Sequence, residues 1–338
     1  MVSDVIEVSF TGDILAHRRC PRSWVFEKHS GFQPYEQVQA MEGRLIHHSM
    51  EWMARRYREV RAHATVDELR QQVQRHFRVL WARGIRTAFT SKQETVDRVL
   101  GNIFPGNKIH PTVKAAIEGA VHSEYELRTV KKLVREDFHG KSRLLLTGIL
   151  DLVVQEESPL KYPRTWRWTD AAQLEGEPAA IQETASVGDI EIWDYKGSRA
   201  TTKYLDDYVL QLLTYAALYQ EKTGTLVKRC VLFFINEPDR SEQLLAIRVD
   251  QDVVDRALTW AKEQVRLLRQ TSLDFRNGPT MIAGGSLDLR HRPVGKRVVG
   301  DLKQQCTACG FRFDCEEYVK YVGGADKPDV SRTNIDKN

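Results

Sequence analysis

The stretch Asp189–Ser198 reads Asp-Ile-Glu-Ile-Trp-Asp-Tyr-Lys-Gly-Ser. It constrains the fold most, because a β-branched and aromatic run that ends in Gly-Ser is the pattern of a strand entering a turn. Strand side chains alternate between faces, so Asp194 and Lys196 share one face while Trp193 and Tyr195 share the other. An acid and a base are thus held side by side on rigid backbone. Upstream, the apolar run Leu144–Val154 carries one embedded carboxylate, Asp151. A charge in such a run is costly unless it is paired or binds a metal. If the two strands are neighbours, Asp151, Asp194 and Lys196 converge.

Two carboxylates and a lysine at one point are what phosphodiester hydrolysis requires. Hard oxygen ligands hold Mg²⁺ or Mn²⁺, and an ammonium orients water or stabilises developing charge. Gly148-Ile149-Leu150-Asp151 followed by Asp194-Tyr195-Lys196 resembles the PD-(D/E)XK nuclease superfamily, in the branch of RecB nuclease domains and the iron-sulfur exonucleases of CRISPR adaptation. Two further segments carry the likeness. Gly43-Arg44-Leu45-Ile46-His47 resembles that family's G-x-x-x-H motif, and Gln211 with Tyr215 resembles its Q-x-x-x-Y motif. The resemblance implies that His47, Asp151, Asp194 and the Tyr195 carbonyl bind Mg²⁺ or Mn²⁺. It also implies that Lys196 positions the attacking water, with Gln211 and Tyr215 holding nearby DNA backbone or supporting the lysine. Taken alone, each of these residues has an ordinary structural reading, as a solvated pair at a strand end or a satisfied core histidine.

Five cysteines in a chain without a signal-like N-terminus argue for metal or redox chemistry rather than a disulfide framework. Cys306, Cys309 and Cys315 form a C-x2-C-x5-C cluster, Cys20 stands far upstream in Arg-Arg-Cys-Pro, and Cys230 sits in an apolar run as a small buried hydrophobe. The resemblance implies a [4Fe-4S] cluster held by Cys20, Cys306, Cys309 and Cys315, tying the C-terminal cluster to the N-terminal part of the chain. The spacing itself leaves zinc open.

The remaining chain is read from pattern. A short helix is expected over Ser9–Leu15, and a long one from about Glu36 to Val60, with Met41, Leu45, His48 and Trp52 on one face. Residues 65 to 130 read as helical, the last helix running from Pro111 to Arg128. Basic residues interleave there with Phe77, Trp81, Phe89, Phe104 and Tyr125. That mixture suits either an amphipathic insertion with solvated charges or a groove for single-stranded nucleic acid. Leu133–Gly140, containing Glu136, reads as the first strand of the sheet, and the punctuated segment 155–188 reads as a long connection. Residues 201–222 form a helix, 226–235 and 243–249 strands, and 250–269 a helix. Residues 278–300 read as a basic, glycine-rich loop, Phe313–Tyr321 as a short helix, and the rest as a polar tail.

The expected architecture is α/β, a restriction-endonuclease-like sandwich whose mixed central β-sheet is flanked by helices. Its parts are an N-terminal helical part (1–64), a helical insertion (65–131), the nuclease core (132–275) and a C-terminal loop and cluster region (276–338). With 41% hydrophobic residues the chain has ample material for a core, and with no long apolar run it is expected in the cytosol. The net charge of +4 permits a polyanionic partner without demanding one. The expected activity is metal-dependent DNA hydrolysis, with a preference for single-stranded ends. No G-x-x-x-x-G-K-[ST] segment occurs, so any unwinding falls to a helicase or other motor subunit, or to a CRISPR or defence complex. A non-catalytic DNA-end-binding or scaffold subunit and an iron-sulfur sensor are the alternatives.

Overall fold

The structure is a computed structural model that describes residues 5–29, 39–85, 91–104, 109, 111–132, 143–155, 161–162, 165–166, 183–184, 186–197, 200, 205–239 and 241–277. The expectations for Glu136, most of the 156–185 connection, the basic loop, Cys306, Cys309, Cys315 and the tail lie outside them.

The chain divides into two compact units, Met1–Leu15 with Glu36–Leu267, and Ala16–Tyr35 with Leu268–Asn338. The first begins with β1 (Val5–Ser9) and a six-residue π-turn, Phe10–Leu15. The helices α3 (Gln39–Val60), α4 (Val66–Ala82), α5 (Lys92–Ile103) and α6 (Pro111–Glu118) follow. Next come β2 (Ala120–Lys132), β3 (Arg143–Gln155), the short β4 (Lys161–Tyr162), β5 (Thr165–Trp166) and β6 (Glu183–Thr184), and then β7 (Ile190–Lys196). The series ends with α7 (Leu205–Thr223), β8 (Arg229–Phe234), β9 (Leu244–Arg248) and α8 (Gln251–Asn277), the last reaching into the second unit. The second unit also holds α1 (Ala16–Arg19) and α2 (Pro21–His29).

Local sequence explains the helix boundaries. Thr65 with Glu68 and Ser91 with Glu94 form reciprocal capping boxes that satisfy the first amides of α4 and α5. Leu69, Val73, Phe77 and Leu80 recur at helical spacing and are buried, giving α4 its inward stripe. Helix α7 is buried from Val209 to Tyr219, mostly through apolar residues but with Gln211 and Thr214 among them, and Gly224 at φ +76° follows its end. No described helix is long and apolar enough to cross a membrane.

Among the described residues, seven strands form one mixed sheet in the order β1-β3-β7-β8-β9-β5, with β2 also on β3. The pairs β1/β3, β7/β8 and β5/β9 are parallel, and β2/β3, β3/β7 and β8/β9 antiparallel. Strand β2 covers one edge of β3 from Arg143 to Val154. A strand has only two edges, so β1 and β7 must share the other. There β1 takes Arg143–Thr147 and β7 takes Leu152–Gln155, which leaves Gly148–Asp151 between the two ladders. Leu152, Val154, Trp193, Tyr195, Val231 and Phe233 pack into one core with α3 to α6. The mixed sheet flanked by helices agrees with the expected α/β class.

The local expectations fare differently. The short helix expected at Ser9–Leu15 is present as a π-helix over Phe10–Leu15, but Ser9 does not cap it, because Asp13 Oδ2 accepts from both the amide and the hydroxyl of Ser9. The helix from Pro111 stops at Glu118, and 120–132 is a strand. Its signal was the alternation of Val121, Tyr125 and Leu127 with Glu124, Glu126 and Arg128, and pairing along the whole of β3 fixes it. Of the two readings left open for residues 65 to 130, the amphipathic one fits Phe77 and Phe104, which are core residues, and Arg56, Arg70 and Arg98, which pair with Glu68, Asp97 and Glu42, whereas Trp81 is exposed.

Candidate active site

The site lies where β3 and β7 part company. Their last ladder pair is Leu152 with Trp193, and the next residues in each direction are Asp151 and Asp194. In place of another backbone pair, the Tyr195 amide donates to Asp151 Oδ2 at 2.9 Å. The carboxylate thus fills a gap in the sheet and is fixed by it. From α3, His47 Nδ1 lies 3.1 Å from the other oxygen, Asp151 Oδ1. Its neighbour His48 instead meets Glu51 at 3.6 Å and stacks on His76. Of the two histidines, His47 is therefore the one at the site.

Lys196 pairs with Asp194 on the same face of β7, as the period of two requires. Its ammonium also donates to Gln211 Oε1 at 3.1 Å. The Gln211 amide is oriented from its other end, where Nε2 donates to the Tyr215 hydroxyl at 3.2 Å and to Thr11 Oγ1 at 3.3 Å. Gln211 and Tyr215 thus support the lysine side of the site. Sequence reasoning missed Thr11, which the π-turn places there, and Tyr208, whose ring lies 4.3 Å from the ammonium. The only signal for Tyr208 was its place one helical turn before Gln211. For Thr11 there was none, because π-turns have no readable pattern.

Beyond Lys196, the strand exit is secured by the Ile235 amide on the Lys196 carbonyl at 2.9 Å. Asn236 donates to the Gly197 carbonyl and accepts from Asn102 of α5. At the other end of β7, Glu191 is fully buried yet satisfied by Arg229 at 2.6 Å and the Trp193 indole at 3.0 Å. Cys230 beside it is buried, and burial pushes its thiol up, as befits a small hydrophobe.

Electrostatics follow from crowding charge in a nearly dry place. Asp194, Asp151 and Lys196 keep only 7%, 10% and 13% of their side-chain surface exposed, whereas His47 keeps 33% and forms the open side. Burial pushes Asp194 up to about 7; Lys196 pulls it down, but repulsion from Asp151 adds to burial. Burial acts most strongly to raise Asp151, but the charge and hydrogen bond of His47, with Asp194 and Lys196, together outweigh it and hold that carboxyl low. The two carboxyls titrate as one coupled unit, with Asp194 pushed up and Asp151 held down. For Lys196, burial is outweighed by attraction to Asp194 and Asp151, so the ammonium persists. For His47, burial opposes the charge, yet Asp151 lifts the imidazole to about 9.

A pH dependence follows for metal-free protein. The His47 value lies above its ordinary 6.5, so the stabilisation by the His47–Asp151 pair is complete below pH 6.5 and lost as pH rises through about 9. Chelator-treated protein is expected to lose about 1–2 kcal/mol over that interval, the full linkage being reduced by solvent screening at a one-third-exposed ring. His47→Asn should flatten the slope. Equal slopes for both proteins in urea titrations would count against the pair.

Among the described residues, no three His, Cys, Asp or Glu side chains are already gathered to grip a metal. The donors nonetheless suit one. Two carboxylates are hard donors suited to Mg²⁺ or Mn²⁺, and the imidazole beside them is a borderline nitrogen donor that Mn²⁺ accepts more readily than Mg²⁺. Asp194 Oδ2 is sealed from water and, apart from its ion pair, lacks a well-formed hydrogen bond. A divalent ion would have to displace the His47–Asp151 and Lys196–Asp194 contacts. Cys20 stands just before α2, where its Sγ accepts from the Ser23 amide at 3.4 Å.

A family model described as the PD-(D/E)XK nuclease superfamily matches residues 13–316 of the 338. No curated protein matches the chain.

Proposed function

The chain belongs to the PD-(D/E)XK nuclease superfamily, and from that premise we propose that it is a Mg²⁺- or Mn²⁺-dependent deoxyribonuclease, an exonuclease of the RecB-like branch that prefers single-stranded ends. The observation that carries the reading is the meeting of Asp151, Asp194 and Lys196 at the divergence of β3 and β7, with His47 on the open side.

In this proposal Asp151, Asp194, His47 and the Tyr195 carbonyl hold the ion, which when bound supplies a nucleophilic water at neutral pH and neutralises the phosphate. Asp151 is aimed by the Tyr195 amide, so its free electron pairs face the site rather than the ladder. Lys196 orients the water and meets charge that develops on the phosphate oxygens. Gln211, itself fixed by Tyr215 and Thr11, keeps the ammonium from following Asp194 alone. His47 must give up its proton to act as a ligand, which the displacement of its contact with Asp151 favours.

We also propose a [4Fe-4S] cluster on Cys20, Cys306, Cys309 and Cys315, with zinc as the alternative occupant. The support for iron-sulfur over zinc is the resemblance carried by Cys20 and the Cys306-x2-Cys309-x5-Cys315 run, with Cys20 standing just before α2, where its sulfur accepts the Ser23 amide. Acid-labile sulfide in anaerobically purified protein tests it, and zinc without sulfide overturns it. A separate helicase or defence complex would supply the single strand.

The deciding experiment incubates the protein with end-labelled single-stranded and duplex DNA and with RNA, with Mn²⁺ or with chelator. Release of mononucleotides or short fragments from single-stranded DNA, only with the ion, is expected. DNA retained without turnover would replace the enzyme with an end-binding subunit.

A further inference from the structure

We propose that Tyr208 is a positioning residue for Lys196, its ring face holding the ammonium while Asp194 engages another cation. The inference rests on the reading of Lys196 given above. An ammonium has three protons and no acceptor. Asp194 and Gln211 contact it, and the centroid of the Tyr208 ring lies 4.3 Å from Nζ, well inside the range of a cation–π contact.

Sequence geometry makes the arrangement more than incidental. Tyr208, Gln211 and Tyr215 occur at i, i+3 and i+7 of α7, so one helical stripe presents a ring, an amide and a phenol towards the end of β7. Tyr208 is left out of the continuous buried run that begins at Val209, so its ring sits where α7 meets the partly open site. At such a half-desolvated position the contact is stronger than on an open surface. Of the three partners, only the Asp194 carboxylate is one for which a divalent ion would compete. The ring and the amide remain with the lysine, and together they keep the ammonium in place.

The test begins with the wild-type protein and needs no activity. With ¹³C-labelled lysine, the Cε protons of Lys196, identified by comparison with Lys196→Arg, are expected upfield of the other lysines because they lie over a ring face. The shift should persist in Tyr208→Phe, which keeps the ring and drops the hydroxyl, and vanish in Tyr208→Leu. DNA cleavage should follow the same order. Tyr208→Phe should stay within about twofold of wild type, and Tyr208→Leu should fall about tenfold in kcat with KM unchanged. An unshifted Lys196 resonance in wild type overturns the proposal even if Tyr208→Leu fails to fold. Full cleavage by Lys196→Met would instead sink the parent reading. Inactive Lys196→Met beside a Tyr208→Leu protein of wild-type kcat would sink Tyr208 alone.

Discussion

Lys196→Met protein is expected to fold and to gain thermal stability from Mn²⁺, yet to cleave DNA about 10³-fold more slowly than wild type. Methionine keeps an unbranched apolar stem and removes the charge together with the hydrogen bond to Gln211. In the ion-free protein that change leaves Asp194 without its cation, and burial with repulsion from Asp151 then pushes its carboxyl up further. The carboxyl then takes up a proton, so the fold is not burdened with an unpaired buried charge. When the ion is present it takes the place of the ammonium beside Asp194, and the melting temperature should rise as in wild type. What is lost is the group that orients water and meets the developing phosphate charge. Cleavage within tenfold of wild type would remove Lys196 from the chemistry.

Gly148→Ala is the second large effect, and it acts on stability. A Cβ at this position would lie 2.4 Å from Cε1 of Tyr215, far inside van der Waals contact. The Tyr215 ring cannot simply swing away. It is 5% exposed, packs edge-on against Phe10 with centroids 5.9 Å apart, and accepts from Gln211. Overpacking of this kind costs about 1–3 kcal/mol, to be read from the urea midpoint. A displaced Tyr215 would also release Gln211 from the orientation that serves Lys196, so cleavage should fall alongside stability. In a double-mutant cycle, Gly148→Ala should cost much less when Tyr215 is already Leu. An unchanged midpoint for Gly148→Ala alone would contradict the close packing.

The parts of the site written in local pattern were legible. Period-two alternation set Asp194 and Lys196 on one face, and the cost of an isolated charge in an apolar run singled out Asp151. Spacing along one helix put Gln211 and Tyr215 together. The structure brings these residues together with His47. Long-range pairing was less legible. The strand at 120–132 is settled by its partner β3 as much as by its own propensity, which is why a helix running to Arg128 was expected. The gap at Gly148–Asp151 arises because two strands share one edge of β3, and no window of sequence contains that fact. Thr11 reaches Gln211 from two hundred residues away through a π-turn, so its part could be seen only in three dimensions. Aromatic residues among basic ones left two readings open. Phe77 and Phe104 have the helical spacing of core residues, and that is what they are.

The most direct trial is anomalous scattering at the manganese edge from crystals of Mn²⁺-loaded protein. One peak is predicted within about 2.0–2.6 Å of an oxygen from each of Asp151 and Asp194 and of an imidazole nitrogen of His47, with Lys196 withdrawn from Asp194 and still against Gln211. A peak elsewhere, or none at these residues in protein that cleaves DNA, would show that the chemistry is done without them.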